Sequence, residues 1–302
     1  MLRNKMFKSV VVALLFLPNI LVAQSPQTAL EKRIRYIIDT SGGKIGVGIA
    51  GVDFKGGFVI NGNSKYPMQS VFKFPLGLAI LHEVDKGKLT LGQKFHIPKE
   101  KLNTHTWSPM LKDFPDQDIN MSLGELLTYA VSKSDNNACD FLYAVAGGPG
   151  VVNTYIHSLG VKDISIVYTE GEMAKAWPRQ YKDWCKPAAM LQLLQLTYDQ
   201  KILSKPNNDF LLKIMSELPG WDKRITGLLP PETELIHKTG SSGVNAQGML
   251  AATNDVGIVT LPNGKHLAIV VFVSDYKGPL QRGSHIIAAI SKEIWDYYTA
   301  VN

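Results

Sequence analysis

Apolar residues recur three and four apart over residues 71–85, 122–133, 136–145, 150–159, 187–198 and 207–217, which predicts a succession of helices through the middle of the chain. The two ends differ from the middle. A helix is predicted over 28–39. It is followed by β-rich runs at 45–53 and 57–61 separated only by Phe54, Lys55 and Gly56, the pattern of two strands joined by a tight turn. Strand-like runs return at 233–239, 246–254 and 266–274, and an amphipathic helix is predicted over 283–300. The order strands, helices, strands predicts an α/β (α+β) chain in which both ends build one antiparallel sheet and an all-helical region is inserted between them. Residues 24–65 and 218–302 would form the sheet part and residues 66–217 the helical part.

The first residues add a processing signal. Arg3, Lys5 and Lys8 precede an apolar run from Val10 to Leu17, and small Ala23 follows. This is the order of a signal peptide, residues 1–23, removed near Ala23 from a protein exported to the periplasm. The apolar run is shorter than the ~20 residues a span needs, so no stable membrane insertion is expected. The formal charge of +6 includes those three cations, and the mild excess left does not suggest a nucleic-acid partner. With 45% hydrophobic residues the chain can bury a full core, which excludes a disordered protein. Cys139 and Cys185 match neither a CxxC pair nor a dense disulfide framework; they could pair in an oxidising compartment, but buried free thiols are the favoured reading. His82-Glu83 lacks the second histidine of a zinc helix, so no metal or cofactor is expected. Residues 46–51 satisfy GxGxxG, but the chain continues there into a second strand instead of a helix, which argues against a dinucleotide site.

Three short motifs carry chemistry. Gln69-Ser70-Val71-Phe72-Lys73 opens a helix, where residues three apart share a face, so Lys73 can reach the Ser70 hydroxyl and assist loss of its proton. Ser41 and Lys44 have the same spacing, but Gly42 and Gly43 between them predict a loop. Ser134-Asp135-Asn136 lies between two predicted helices, where it could be an ordinary helix cap. Lys238-Thr239-Gly240-Ser241 lies on a predicted strand: Lys supplies charge, Thr a hydroxyl, and Gly lets a substrate backbone approach.

In this order and these local settings, SxxK, SDN and KTG are the motif set of class A β-lactamases and penicillin-binding proteins, and the chain resembles a class A serine β-lactamase over its mature length. The resemblance implies a five-stranded antiparallel sheet flanked by helices, with the inserted helical region. It also implies hydrolysis of the β-lactam amide bond of cephalosporins and penicillins through a Ser70 acyl-enzyme. The stretch from Glu170 through Tyr181-Lys182-Asp183 to Pro187-Ala188-Ala189-Met190 resembles the family's Ω loop, whose glutamate activates the deacylating water; Glu170 takes that role.

The resemblance assigns the oxyanion hole to the N–H groups of Ser70 and Ser241. It gives Ser134 the proton relay to the ring nitrogen, Asn136 the substrate amide, and Lys238 with Thr239 the substrate carboxylate. Trp107 resembles the aromatic wall of the cleft. Arg224 matches an arginine that some branches use for the carboxylate, since residues 247–253 contain no basic side chain. Gln69, Ser241 and Ser242 are similar to the cephalosporinase and extended-spectrum branch.

Several positions depart from the family pattern. Gly171 replaces the usual proline after the glutamate, so a cis bond there is not expected. Ala174 replaces an asparagine and has no group to hold a water. Tyr168 stands where an arginine usually pairs with Asp183, and Pro75 conflicts with a helix that opens at Ser70. The expected molecule is a monomer whose partner is a small β-lactam. The alternatives are a low-mass penicillin-binding protein acting as a D-Ala-D-Ala peptidase, or a non-catalytic β-lactam receptor domain. Glu170 on its loop argues against the peptidase.

Overall fold

The computed structural model describes residues 26–219 and 223–301, so the predicted signal peptide lies outside the described residues. Helix α1 (Pro26–Ser41) buries Leu30, Ile34 and Ile38, one turn apart. Strands β1 (Lys44–Gly51) and β2 (Gly57–Ile60) follow. The helical region contains α2 (Lys73–Asp85), α3 (Asn136–Ala146), α4 (Pro149–Ser158), α5 (Pro187–Tyr198) and α6 (Lys205–Ser216). Strands β3 (Leu235–Ser241), β4 (Met249–Thr260) and β5 (His266–Lys277) complete the main sheet, and α7 (Leu280–Val301) packs on it.

The main sheet has the order β2-β1-β5-β4-β3, with every neighbouring pair antiparallel. Strand β5 is its centre, and its alternating side chains divide the core in two. Leu267, Ile269, Val271 and Val273 join α1 and the Ile286, Ile287, Ile290 and Ile294 stripe of α7, while Ala268, Val270 and Phe272 face the helical region. Both faces are covered, which explains why residues 267–273 are apolar without interruption. Each such side chain contributes about 1.5–3 kcal/mol by leaving water. The other central element is α2, in which every residue from Lys73 to Leu81 is buried, so this helix has no polar face until its last turn.

The element boundaries explain two apparent conflicts. The α-helical part of the SxxK segment begins only at Lys73, preceded by a 3-10 turn over Gln69–Phe72. Pro75 therefore sits in the first turn of α2, where a backbone donor is missing anyway, and no kink is required. The second SxxK match is broken: Ser41 ends α1, Gly42 takes φ +77°, and Lys44 begins β1.

The predicted helix over 122–133 is composite. A strand Ile119–Ser122 pairs with Lys94–Ile97, and Ser122 and Glu125 then cap a short helix, Leu123–Leu127, that passes into a π-helical turn, Thr128–Ser132. Strand β4 starts later than the predicted run because the Asn245 side chain accepts the N–H groups of Gln247 and Met249 and closes a turn ahead of it.

Candidate active site

The 3-10 turn places Ser70 and Lys73 on one side, with Lys73 Nζ 3.0 Å from Ser70 Oγ. Gln69 adopts φ +51°, a left-handed conformation that costs a non-glycine residue about 1–2 kcal/mol. Its buried side chain donates to Gln180 Oε1 at 2.6 Å and ties the turn to the loop opposite. From the sheet side, Asn254 Nδ2 donates to the carbonyls of Pro67 and Met68 at 2.8 and 3.0 Å. The Ser70 segment is thus held from both flanks.

Lys73 is fully buried, and four acceptors surround its ammonium: Ser70 Oγ, Ser134 O at 2.8 Å, Asn136 Oδ1 at 2.6 Å and Glu170 Oε1 at 2.9 Å. An ammonium has three protons, so one acceptor must be served otherwise. The Ser70 hydroxyl donates to Glu170 Oε1 at 3.1 Å, so Lys73 and Glu170 both lie one hydrogen bond from the Ser70 proton.

Ser134 turns the chain with φ +57°, presenting its carbonyl to Lys73 and its hydroxyl to Lys238 Nζ at 3.0 Å. Asp135 caps α3 through Ala138 N and accepts from Ser108 Oγ and Met110 N, each at 2.7 Å, which locks the 107–110 segment beside the loop. Trp107 there is 45% exposed, with Nε1 donating to Lys133 O at 3.2 Å, so it is a rim residue and not a core aromatic. Asn136 Nδ2 donates to Thr106 Oγ1 at 2.8 Å.

Strand β3 forms the edge of the sheet and one wall of the cleft. A Cβ on Gly240 would lie 2.4 Å from Met68 O, so only glycine allows the strand this close to the Ser70 segment. Lys238 is fully buried; burial, then the charges of Lys73 and Arg224, push its ammonium well below the usual lysine range.

Arg224 is only 2% exposed. Its guanidinium donates to Gly240 O at 2.9 Å, Asn254 O at 2.5 Å and Ser241 Oγ at 2.5 Å, bridging β3 and β4 in the wall of the cleft. Arg224→Ala strips three acceptors of their donor and is expected to cost about 3 kcal/mol in thermal or denaturant unfolding. Arg224→Lys should recover only part of this, because an ammonium cannot reproduce the planar fork. An unchanged unfolding midpoint in Arg224→Ala would disprove the bridging role.

The loop that brings Glu170 to the cleft hangs on two carboxylates, half-buried Asp140 and fully buried Asp183. Asp140 of α3 accepts the N–H groups of Glu170 at 2.7 Å and Gly171 at 2.8 Å. Asp183 accepts those of Val167 at 2.5 Å and Tyr168 at 3.1 Å. A Cβ at Gly171 would fall 2.9 Å from Asp140 Oδ2, which explains glycine at a position where the family commonly has proline. All described peptide bonds are trans. Tyr168, in place of the usual arginine, lies under Arg179, whose guanidinium is 5.0 Å from the ring centre.

Burial raises both aspartates to about 6, with the charge of Glu170 adding to the shift. The fold therefore binds their protons more tightly than the unfolded chain does. The stability they contribute is complete below about pH 4 and is lost as the pH rises through about 6. Asp53, Asp85 and Asp113, held below the ordinary value of 3.8, weaken the fold only at more acidic pH. His82, held below 6.5 by burial, opposes them in the same window, but the two larger aspartate shifts outweigh it, so the unfolding midpoint is expected to rise between about pH 7 and about pH 5, measured by calorimetry. Deacylation should slow over the same interval, because a protonated carboxyl keeps its acceptor lone pairs but loses the charge that strengthens its bonds to the two N–H groups. A midpoint and a deacylation rate that fall together would contradict this assignment.

Ser70, Trp107, Ser134, Asn136, Glu170, Arg224, Thr239, Gly240 and Ser241 all line one cleft of about 450 Å³, and Lys73 and Lys238 lie buried beneath it. Leu218, Pro219, Leu280, Gln281 and Ser284 extend it past Arg224. Asp140, Gln180 and Asn254 were not singled out from sequence. Asp140 interrupts the apolar face of α3, and Asn254-Asp255 interrupts an otherwise apolar strand, which is the signal that could have marked them. Cys139 and Cys185 are buried and free.

The chain matches the model of the β-lactamase enzyme family over residues 29–298. It is 41% identical to β-lactamase VEB-1 of Pseudomonas aeruginosa, with 97% of this chain and 99% of that protein covered. It is 37% identical to the extended-spectrum β-lactamase PER-1 of the same organism, with 91% and 88% covered. Among solved structures, a β-lactamase from Chitinophaga pinensis DSM 2588 superposes with a TM-score of 0.87 at 47% identity, covering 91% of this chain and all of that one. The TLA-3 extended-spectrum β-lactamase superposes with a TM-score of 0.88 at 44% identity, covering 90% and 99%.

Proposed function

The chain belongs to the class A serine β-lactamases and hydrolyses β-lactams, and from that premise we propose that Ser70 is its nucleophile, Glu170 its hydrolytic base and Lys238 the main partner of the substrate carboxylate. The observation that carries this assignment is the triangle of Ser70 Oγ, Lys73 Nζ and Glu170 Oε1, with every side at or below 3.1 Å, at the floor of the cleft.

Acylation begins as the Ser70 hydroxyl gives its proton to this pair and Oγ attacks the lactam carbonyl. The N–H groups of Ser70 and Ser241 receive the developing oxyanion, a contribution of about 3 kcal/mol per donor in comparable hydrolases. When the C–N bond breaks, the Ser134 hydroxyl protonates the departing nitrogen while the Lys238 ammonium 3.0 Å away stabilises its oxygen, and the proton that the pair took from Ser70 returns to Ser134, which frees Glu170 to act again. In the acyl-enzyme Ser70 Oγ no longer has a proton to donate, so Glu170 Oε1 loses that bond and is released to accept one from water. Water then adds to the ester, Ser70 Oγ leaves and takes back a proton, and the opened product departs.

Cephalosporins, including extended-spectrum ones, are the proposed preferred substrates; Gln69 and Ser241-Ser242 support this, as do the extended-spectrum relatives. The test is to mix the protein with a chromogenic cephalosporin. Steady turnover is expected, whereas a single stoichiometric burst would indicate the long-lived adduct of a peptidase. Export to the periplasm as a monomer completes the proposal; the basic, apolar and small-residue order of residues 1–23 supports export. Among the described residues no helix is long and apolar enough to cross a membrane.

A further inference from the structure

Asp255 is fully buried on β4, opposite Thr239 of β3, on the sheet face that Val259 turns toward α7. One of its oxygens meets His237 Nδ1 at 2.8 Å, and the other accepts the N–H of Ile225 at 3.1 Å. Ile225 directly follows Arg224, so the carboxylate fixes the backbone from which the guanidinium reaches Gly240 O, Asn254 O and Ser241 Oγ. Lys73, Arg224 and Lys238 are each at most 2% exposed, which concentrates positive charge around one strand. Two carboxylates oppose the resulting strain on Lys238: Glu170 from the loop and Asp255 from behind the sheet. Glu170 is already engaged by Lys73 and Ser70, which leaves Asp255 as the counter-charge not consumed by the reaction.

We propose that Asp255, held in place by His237, is a positioning residue for hydrolysis: it pins Arg224 beneath the strand that bears the oxyanion donor and supplies the negative charge behind Lys238. A buried charge near three cations acts over several ångströms because the intervening sheet screens poorly. The groups facing Lys238 are Lys73 from α2, the Ser134 hydroxyl, Glu170 from the loop, Arg224, and Asp255 with its partner His237.

The proposal rests on Lys238 binding the substrate carboxylate, and the experiment separates the two. Asp255→Asn keeps the shape and an acceptor for Ile225 N–H but removes the charge. The basic limb of kcat/KM for a carboxylate-bearing cephalosporin should move down by about one pH unit. KM near pH 8 should rise about tenfold, while kcat at neutral pH changes less than about threefold. Asp255→Glu, which restores the charge, should return the limb toward wild type even if its unfolding midpoint is lower. A lost contact alone would lower the midpoint in both variants and leave the limb in place. A wild-type profile in Asp255→Asn, with KM raised in Lys238→Ala, overturns the proposal alone; an unchanged KM in Lys238→Ala overturns the carboxylate assignment beneath it. If Asp255→Asn does not fold, Asp255→Glu decides: a limb displaced despite the retained charge overturns the proposal, and a retained limb supports it.

Discussion

Ser70→Ala is expected to lose turnover by on the order of 10⁶-fold, as nucleophile deletions do where a catalytic group acts as a unit with its neighbours. The geometry offers no substitute. Ser134 Oγ is held by Lys238, and Ser241 Oγ accepts from Arg224, so neither hydroxyl has an adjacent base of the kind that Lys73 and Glu170 provide for Ser70. A cleft that still binds substrate and presents oxyanion donors leaves only slow attack by water. The variant should fold normally, because the half-buried hydroxyl contributes two contacts within the site and none to either core cluster. Purified Ser70→Ala should therefore match wild type in unfolding midpoint and bind a cephalosporin without forming an adduct. Retention of even a tenth of the wild-type rate would show that the nucleophile lies elsewhere.

Glu170→Gln is expected to separate the two half-reactions. Deacylation should fall about 10³- to 10⁴-fold, because an amide cannot take a proton from water. The direct contact of Glu170 with both Ser70 and Lys73 means that acylation suffers as well, by an expected factor of about 10–10². Lys73 loses its carboxylate partner, and Ser70 loses the acceptor of its proton. Acyl-enzyme should still accumulate, since the second step is slowed more, and intact-protein mass spectrometry after mixing would show the added mass. Unchanged turnover without an adduct would remove Glu170 from the mechanism.

What was legible in the sequence follows from how local each feature is. Ser70 with Lys73, Ser134 with Asn136, and Lys238 with Ser241 each lie within four residues on one turn or strand, so spacing alone carries their geometry. The alternation of helices and strands was visible for the same reason, because period and turn chemistry are short-range. Residues that act across the chain were not. Asn254 reaches Met68 and Gln180 reaches Gln69 through folded proximity, and nothing near either position announces the partner. Arg224 shows both sides of this limit: the family resemblance marked it, but only the packing of the 225–228 turn between α7 and the sheet reveals that it is buried and spans two strands. Pro75 was misjudged because periodicity cannot distinguish a 3-10 turn from the first turn of the α-helix that follows it.

The placement of β5 at the centre of the sheet has a consequence for biosynthesis. Lys44 at the start of β1 pairs with Ser274, and Thr260 at the end of β4 pairs with His266. Until residues 266–277 have left the ribosome, nothing joins the N-terminal strands to the pair formed by β4 and the KTG strand. Pairings of such long sequence separation form late and slowly, because loop closure must precede any gain from contact. A chain carrying Ser70, Lys73, Glu170 and Lys238 but stopped before residue 266 would contain nearly every reactive group and no cleft to assemble them. A chain stopped before residue 266 is therefore expected to be inactive although nearly every reactive group is present.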